Sequence, residues 1–465
     1  MKGPVDGTQA LGSRGIGRLL WHTCSQTTLS VSAYGVYALT NAWFVARGVG
    51  TDAMAAVNLA APVLLILGAV STTVGAGGAS LVSRHLGADD PAGAARATGN
   101  AFLLFWACAA ATTVGGLIAL EPLLTVLGAQ DTTRGLTREY AVILLCGALV
   151  STGFSSLIRA EGRLRYATMI WLIPILVQMA LDPLLIFGLG LGVRGAALGT
   201  VGGQAVSAGM SLWFFFVQRG RPYRVTARDL RPHGPTVRAL IAIGAPSFLA
   251  GFGATLLAVL VNNVLAATAA GATALAAYAV CARIQTFAAM PQIGISQGLQ
   301  PVVGYNAGRG LNERVHRART LALRATIGYS TFAALAIGLA AEPLIAVFTH
   351  DPAVTPAAVH ALRILAIGLA FGGITPLVSA YFQSLGRARP AYLLSAGGLL
   401  LVKIPLVLAA GHTTITGIWL AISAGDMLCA LVALLVLHHA PGNAGGSRAP
   451  SRQRVQVRRY GSSGM

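Results

Sequence analysis

Apolar runs of roughly 20 residues recur along the chain from near residue 22 to near residue 438. Each run is long enough to cross a hydrocarbon layer of about 30 Å as an α-helix. The runs are continuous and lack the polar–apolar alternation of barrel strands. The pattern therefore predicts an all-α membrane protein with twelve spans, at 22–46, 53–83, 96–119, 136–158, 166–188, 195–217, 240–267, 274–304, 319–341, 358–385, 391–411 and 416–438.

The composition agrees with this class and argues against an enzyme. Only 10% of the 465 residues are charged, whereas soluble domains carry about 25%. The five cysteines stand singly, and no Cys/His spacing indicates a metal site or a disulfide. No phosphate-binding loop of the GxxxxGKS type and no nucleophile–base constellation is present. We therefore expect no cofactor, and any transport must draw on an ion gradient.

The basic residues are distributed unevenly between the two sides of the predicted membrane. The net charge is +19, and 26 of the 33 Lys and Arg residues fall on one side if both termini share it. This asymmetry predicts a plasma-membrane protein with both termini in the cytoplasm. It also makes nucleic-acid binding an unnecessary explanation of the charge. Two bases, Arg283 and Lys403, lie inside predicted spans.

The two halves of the chain repeat one pattern at an offset of about 222 residues. The segment Glu121–Leu124 (EPLL) matches Glu342–Ile345 (EPLI), and Pro183 matches Pro405. Each half has six spans, so both enter the membrane in the same orientation, with a pseudo-twofold axis along the membrane normal and a cavity between them. The predicted organisation is a cytoplasmic N-terminus (1–21), an N-lobe with helices 1–6 (22–217), a cytoplasmic linker (218–239), a C-lobe with helices 7–12 (240–438) and a disordered cytoplasmic tail (439–465).

Only two of the fourteen acidic residues, Asp182 and Asp426, lie well within predicted spans. A carboxylate at a helix centre costs about 3 kcal/mol on insertion scales and is therefore functional by default. For Asp182 the chemistry that fits is loading and release of a proton, with Gln178 one helical turn earlier on the same face. The alternative for either acid is a structural partnership with a buried base or amide.

Further polar residues in the second half are candidates for lining a substrate cavity. Each of the amides could instead make an interhelical hydrogen bond. Lys403 lies beside the position that is equivalent to Asp182, and it could either pair with an acid or extend toward the interface. The cavity candidates are Asn262, Arg283, Gln285, Gln292, Gln297, Lys403 and Asp426.

Four stretches resemble one transporter family. They are Ile158–Gly162 (IRAEG), Leu181–Gly188 (LDPLLIFG), Gly192–Thr200 (GVRGAALGT) and Gly294–Gly308 (GISQGLQPVVGYNAG). Together they resemble the multidrug and toxic compound extrusion (MATE) family, and most of all its MepA-like bacterial branch. The resemblance covers essentially residues 20–438 and includes both lobes.

This resemblance implies an antiporter that exports bulky, often cationic, organic compounds in exchange for protons or sodium. It also implies a cation site in the N-lobe formed by Asp182, Gln178 and Thr200, with Asn41 where many relatives have Asp. Because this departure leaves one carboxylate in the site, we expect proton coupling in preference to sodium. The expected partners are small organic substrates and membrane lipids, with no nucleic acid and a monomeric state.

Two other functions stay open from the sequence. A flippase for a lipid-linked or polyprenyl precursor belongs to the same wider superfamily, but it would need a markedly cationic cavity. A receptor or scaffold would need neither a buried acid nor duplicated lobes.

Overall fold

The computed structural model describes residues 7–126, 131–150 and 154–440, and within them every regular element is helical. Six long helices form the N-lobe: α1 (Ile16–Gly48), α2 (Thr51–Gly87), α3 (Pro91–Ile118), α4 (Asp131–Gly147, continued by Ser155–Ala160), α5 (Leu164–Gly188) and α6 (Gly192–Val217). Six form the C-lobe: α7 (Gly234–Ala266), α8 (Gly271–Gly308), α9 (Asn312–Leu339), α10 (Val354–Ser384), α11 (Ala388–Ala410) and α12 (Ile415–His439). Short helices occupy Gly7–Ser13, Leu120–Val126 and Ala341–Ala346.

The prediction of an all-α membrane protein is confirmed. Among the described residues, the ten helices α3 to α12 are long and apolar enough to cross a membrane. The other two, α1 and α2, have 33 and 37 residues, which at 1.5 Å per residue gives about 50 Å, more than a bilayer requires. The structure is therefore consistent with the twelve predicted spans. Of the tail predicted at 439–465, residues 441–465 lie outside the described part of the chain.

Several helices extend beyond the predicted spans at one end of the bundle. Helix α1 begins at Ile16 where the hydropathy predicts 22, α7 begins at Gly234 where it predicts 240, and α8 ends at Gly308 where it predicts 304. Arg84, Arg309 and Arg387 lie at this end, which we call the basic end. Hydropathy stops where charged residues start, but the backbone hydrogen bonds of a helix continue into water.

The two lobes repeat each other in detail. In the N-lobe Glu121 pairs with Arg134 at 2.8 Å, and in the C-lobe Glu342 pairs with Arg363 at 3.0 Å. In both lobes the fifth helix contains a widened π-helical stretch next to a matched proline, at Leu184–Gly188 in α5 and at Leu393–Lys403 in α11. Because proline has no N–H to donate, the regular hydrogen-bond ladder is interrupted there.

The lobes pack tightly against each other toward the basic end. Helix α2 contacts α7 and α8, and α1 contacts α8. Gly77 of α2 and Gly244 of α7 let these two backbones touch, since a Cβ at either would overlap a carbonyl oxygen of the other helix. Gly87 of α2 and Gly308 of α8 likewise let the backbones of these two helices touch, because a Cβ at either would overlap a carbonyl oxygen of the other helix. This seal closes the space between the lobes at the basic end.

The short helix Gly7–Ser13 bridges the lobes beneath this seal. Thr8 Oγ1 donates to the carbonyl oxygen of Glu161 in the N-lobe at 2.6 Å. In the C-lobe, Asn306 Nδ2 donates to the carbonyl oxygen of Leu11 at 3.0 Å, and Arg314 Nη2 donates to that of Arg14 at 2.7 Å. The helix therefore ties both lobes together at the basic end.

The space between the lobes is open toward the opposite end. One stripe of α8 faces α1, because Met290 packs against Gly35 and Gly294 against Thr28. Met290 and Gly294 are buried, whereas the same stripe is exposed farther from the basic end. Its exposed members are Ala272, Ala276, Ala279, Arg283 and Thr286. We call this open space the cleft.

Candidate cation site and transport cleft

Asp182 lies in the middle of the N-lobe, completely buried between α1, α5 and α6. Neither of its carboxylate oxygens has a hydrogen-bond partner among the described residues. Gly199 of α6 permits this position, because a Cβ there would overlap Asp182 Oδ1. A buried carboxylate without a partner is unfavourable when it is ionised.

A set of neutral polar groups adjoins the carboxylate. Gln178 is buried one turn before Asp182, and its Nε2 donates to Thr200 Oγ1 at 2.8 Å and also to Tyr37 Oη. Thr200 Oγ1 in turn donates to the carbonyl oxygen of Ala196 at 3.1 Å. These bonds connect α1, α5 and α6, the three helices that surround Asp182.

Asn41 lies on α1 at the level of this pocket. Tyr34 contacts Trp171 at a ring-centroid distance of 5.7 Å, and Phe44 contacts Phe187 at 6.4 Å. These contacts set the register of α1 against α5. One helical turn beyond Tyr37, Asn41 therefore lies level with Asp182. Its Oδ1 is also buried without a hydrogen-bond partner in the described chain.

The structure thus brings Asp182, Gln178 and Thr200 together with Tyr37 and Gly199, and it places Asn41 at the same level of α1. The sequence contained a signal for Tyr37, since it precedes Asn41 by four residues and so shares its face of α1. Gly199 could not be identified in this way, because its role depends on how closely α6 approaches α5.

The pocket at the equivalent place in the C-lobe contains an ion pair. Lys403 Nζ donates to Asp426 Oδ1 at 2.6 Å, and both side chains are mostly buried. Gly425 of α12 lies against Lys403, as Gly203 of α6 lies against Gln178 in the N-lobe. Of the two interpretations of Lys403, the structure therefore shows the one in which it pairs with an acid. The C-lobe acid is neutralised by a base, and the N-lobe acid is not.

The other cavity candidates do not share one surface. Gln285 Nε2 donates to the carbonyl oxygen of Leu365 at 3.4 Å, within the C-lobe. Gln292 is buried and donates to Ser330 Oγ at 2.8 Å. These two residues therefore lie away from the cleft, as interhelical hydrogen-bonding groups.

Three candidates face the N-lobe. Gln297 Oε1 accepts a hydrogen bond from Arg159 Nη2 at 3.2 Å, so it belongs to the contact between the lobes. Asn262 is exposed, and it follows Gly244 by eighteen residues, which is five helical turns along the face that meets α2. Arg283 is exposed on the α8 stripe. Asn262 and Arg283 therefore border the cleft.

Comparison with known proteins agrees with this geometry. The MatE family profile matches residues 27–184 and 246–409, one segment in each lobe. The chain belongs to the MatE family. Its members are multidrug and toxic compound extrusion transporters, so the chain is a multi-pass membrane transporter.

Curated relatives and solved structures match nearly the whole chain. A protein of Shewanella oneidensis described as an FAD transporter is 26% identical over 426 residues, covering 89% of this chain and 92% of its own length. The multidrug export protein MepA of Staphylococcus aureus is 26% identical, with 89% and 90% covered. A crystal structure of a MATE protein in complex with MaL6 superposes with a TM-score of 0.86 at 25% identity, covering 92% of this chain and 97% of that one. An outward-facing MATE family transporter superposes with a TM-score of 0.86 at 26% identity, with 92% and 96% covered.

Proposed function

We propose that this MatE transporter is a proton-coupled antiporter that exports bulky organic compounds across the plasma membrane by alternating access. The observation that carries the proposal is the complete burial of Asp182 with two unpartnered carboxylate oxygens. A proton arriving from the open cleft neutralises the carboxylate and removes the unfavourable buried charge. Loss of that proton toward the cytoplasm restores the charge and resets the carrier.

The hydrogen bonds beside Asp182 connect the three helices that surround it, so a movement of one of these helices is transmitted to the other two. A protonated carboxyl group acquires a donor, whereas the ionised form is an acceptor only. Asn41 Oδ1, at the level of Asp182 on α1, is an acceptor that has no partner in the described chain. Protonation would therefore draw α1 and α5 together at this level and alter the side of the N-lobe that faces the cleft. Substrate release then follows from the changed cleft.

The positions of the termini complete the proposal. The basic end carries the N-terminal helix and the C-terminal end of α12, and the positive-inside rule places such an end in the cytoplasm. The described conformation, sealed at the basic end and open at the other, is then outward-open. The proposed working unit is a monomer, because each monomer contains both lobes and one cleft.

Sodium coupling is a second candidate, favoured by one specific observation. Asp182 Oδ1, Asp182 Oδ2 and Asn41 Oδ1 are three buried oxygens without hydrogen-bond partners in the described chain. Oxygen ligands of this kind suit a hard monovalent cation. The proton stays favoured because the site contributes a single carboxylate.

Everted membrane vesicles test the proposal directly. Ethidium transport is measured for the wild type and for Asp182→Asn, first with an imposed pH gradient and then with a sodium gradient. We expect transport that follows the pH gradient in the wild type and is lost in the variant. Undiminished pH-driven transport by Asp182→Asn would refute the role of Asp182. Transport driven by sodium alone would establish the second candidate. Absence of ethidium transport under both gradients would favour a narrow substrate range or the flippase.

A further inference from the structure

Arg283 is an intramembrane cation without a counter-ion. It is the thirteenth residue of α8, about 18 Å along the helix from its N-terminus, which is the end opposite the basic end, and this places Arg283 near the middle of the membrane. It makes no ion pair with any described acid. An unpaired guanidinium at this depth is tolerated where it faces a water-filled cavity, and it then marks a substrate pathway.

The direction of Arg283 follows from the contacts of its own helix. Met290 and Gln297 follow it by seven and fourteen residues, so all three share one face. Met290 packs against Gly35 of α1, and Gln297 contacts Arg159 of α4. Arg283 therefore points at the N-lobe, about 10 Å above the point where the lobes meet. Its side chain stands on the wall of the open cleft.

An apolar surface formed by Phe287 and Met290 adjoins Arg283 on the side of the basic end. Phe287 is one helical turn from Arg283 toward the basic end, and its ring approaches Gly35 together with Met290. Thr286 is exposed beside Arg283, and its hydroxyl donates to the carbonyl oxygen of Ala282 at 2.8 Å, so Arg283 supplies the hydrogen-bond donors at this place. A guanidinium next to the apolar surface of Phe287 and Met290 forms a place for an aromatic compound that carries an acidic group.

The two intramembrane acids also leave the cleft without a free negative charge. Asp182 is completely buried within the N-lobe, and Asp426 is paired with Lys403, so neither offers a free negative charge to the cleft. Among the described spans, the exposed and unpaired charge on the α8 wall of the cleft is therefore positive.

We propose that Arg283 binds the carboxylate or phosphate group of the transported compound, and that the preferred substrates are aromatic organic anions. This inference rests on the proposed export function and changes its substrate class from the often cationic compounds that the family resemblance implies. Guanidinium binds carboxylate and phosphate through two parallel hydrogen bonds, which an ammonium cannot reproduce. Both the charge and the shape of Arg283 therefore contribute to selection.

Riboflavin and riboflavin 5′-phosphate are a matched pair of probes, because they share one aromatic ring system and differ in a phosphate group. Their binding to the purified full-length protein in lipid nanodiscs is measured by flavin fluorescence. We expect the wild type to bind the phosphate at least tenfold more tightly than riboflavin. Arg283→Gln should lose about tenfold to a hundredfold in phosphate affinity and leave riboflavin affinity unchanged.

Two further variants keep the test decisive. Arg283→Lys retains the positive charge but not the two parallel N–H donors of the guanidinium, so it should lose an intermediate amount of phosphate affinity. This variant replaces Arg283→Gln in the test if Arg283→Gln does not fold. Arg238→Gln, at an exposed arginine near the basic end of α7, should bind both probes like the wild type. Equal affinity of the wild type for the two probes, or an unchanged preference in Arg283→Gln, would overturn the proposal.

The outcome is separable from that of the export function. Equilibrium binding requires no ion gradient, so the affinity ratio tests Arg283 even if transport proves not to be proton-driven. Conversely, gradient-driven ethidium transport combined with no preference for the phosphate would uphold export and refute the anion site. Ethidium binding should stay unchanged or become tighter in Arg283→Gln, because the repulsive charge has been removed.

Discussion

A large loss of stability is predicted for a single change at Glu161, in the turn between α4 and α5. Glu161 and Arg221 form an ion pair whose side chains are 0% and 2% exposed. Arg221 Nε donates to Glu161 Oε2 at 3.1 Å, and Arg221 Nη2 bonds the other carboxylate oxygen. Arg221 Nη1 also donates to the carbonyl oxygen of Phe215 at 2.8 Å. The pair fixes the start of the interlobe linker to the base of α5.

Glu161→Gln removes the negative charge and leaves the guanidinium buried. Loss of one partner from a buried pair costs about 3 to 5 kcal/mol. We expect about 3 kcal/mol, because Gln still accepts one hydrogen bond and the rings of Phe214, Phe215 and Tyr223 stack within 4.8 Å of the Arg221 guanidinium carbon. The double variant Glu161→Leu with Arg221→Met should recover most of this loss, to within about 1 kcal/mol of the wild type.

Arg221→Met alone should behave differently and depend on pH. Burial raises the pKa of Glu161, an effect that Arg221 opposes. Without Arg221 the carboxyl group can take up a proton, whereas an arginine cannot lose one. The folded variant then binds more protons than the unfolded chain, so its stability should rise as the pH falls toward the unfolded pKa and decline as the pH rises.

The assay is unfolding in detergent micelles, followed by intrinsic fluorescence, for the four members of the double-mutant cycle. Glu139→Gln provides a matched control, because Glu139 pairs with Arg194 at 2.7 Å but the two side chains are 38% and 60% exposed. That control should lose less than about 1 kcal/mol. If Glu161→Gln is no less stable than Glu139→Gln, the ion pair contributes nothing and the reasoning is wrong.

Three further predictions concern the seal, the short helix and the cation site. Gly244→Val should push α2 away from α7 and shift the carrier toward opening at the basic end. The expected result is a longer distance between spin labels that replace Arg96 and Arg317, measured by pulsed electron paramagnetic resonance. Gly251→Val should leave this distance unchanged, because a Cβ at that position would meet nothing within 4 Å. Asn306→Ala should release the short helix and speed amide hydrogen exchange in residues 7–13 several-fold, whereas Asn312→Ala should not; equal exchange in both variants would count against the bridge. Asn41→Asp adds a second carboxylate beside Asp182 and should make the melting temperature rise with sodium chloride but not with choline chloride; identical responses to both salts would exclude a sodium site there.

The sequence predicts the spans well, because hydropathy is a local property that each helix carries by itself. The repeat and the intramembrane residues Asp182, Lys403 and Asp426 are visible for the same reason. Whether such a residue faces a neighbour or a cavity depends on contacts that hydropathy does not contain. Lys403 illustrates this, since its pairing with Asp426 depends on the packing of α11 against α12.

The periodicity of an α-helix separates two of the predicted cavity residues, Arg283 and Gln292. Arg283 and Gln292 are nine residues apart, which rotates them by half a turn and puts them on opposite faces of α8. They cannot both line one cavity, and the structure exposes Arg283 and buries Gln292. Helical periodicity does not predict the close approaches at Gly77, Gly199 and Gly244, because each depends on contact with a helix that is distant in sequence.

The measurement that tests the central role of Asp182 most directly is proton release on substrate binding. Purified protein is held in a weakly buffered, sodium-free solution with a pH-sensitive dye, and a saturating amount of ethidium is added. If Asp182 is the proton carrier, the wild type releases protons, approaching one per molecule at the pH of greatest release, and Asp182→Asn releases none while still folding. Proton release of the same size from Asp182→Asn would contradict the account.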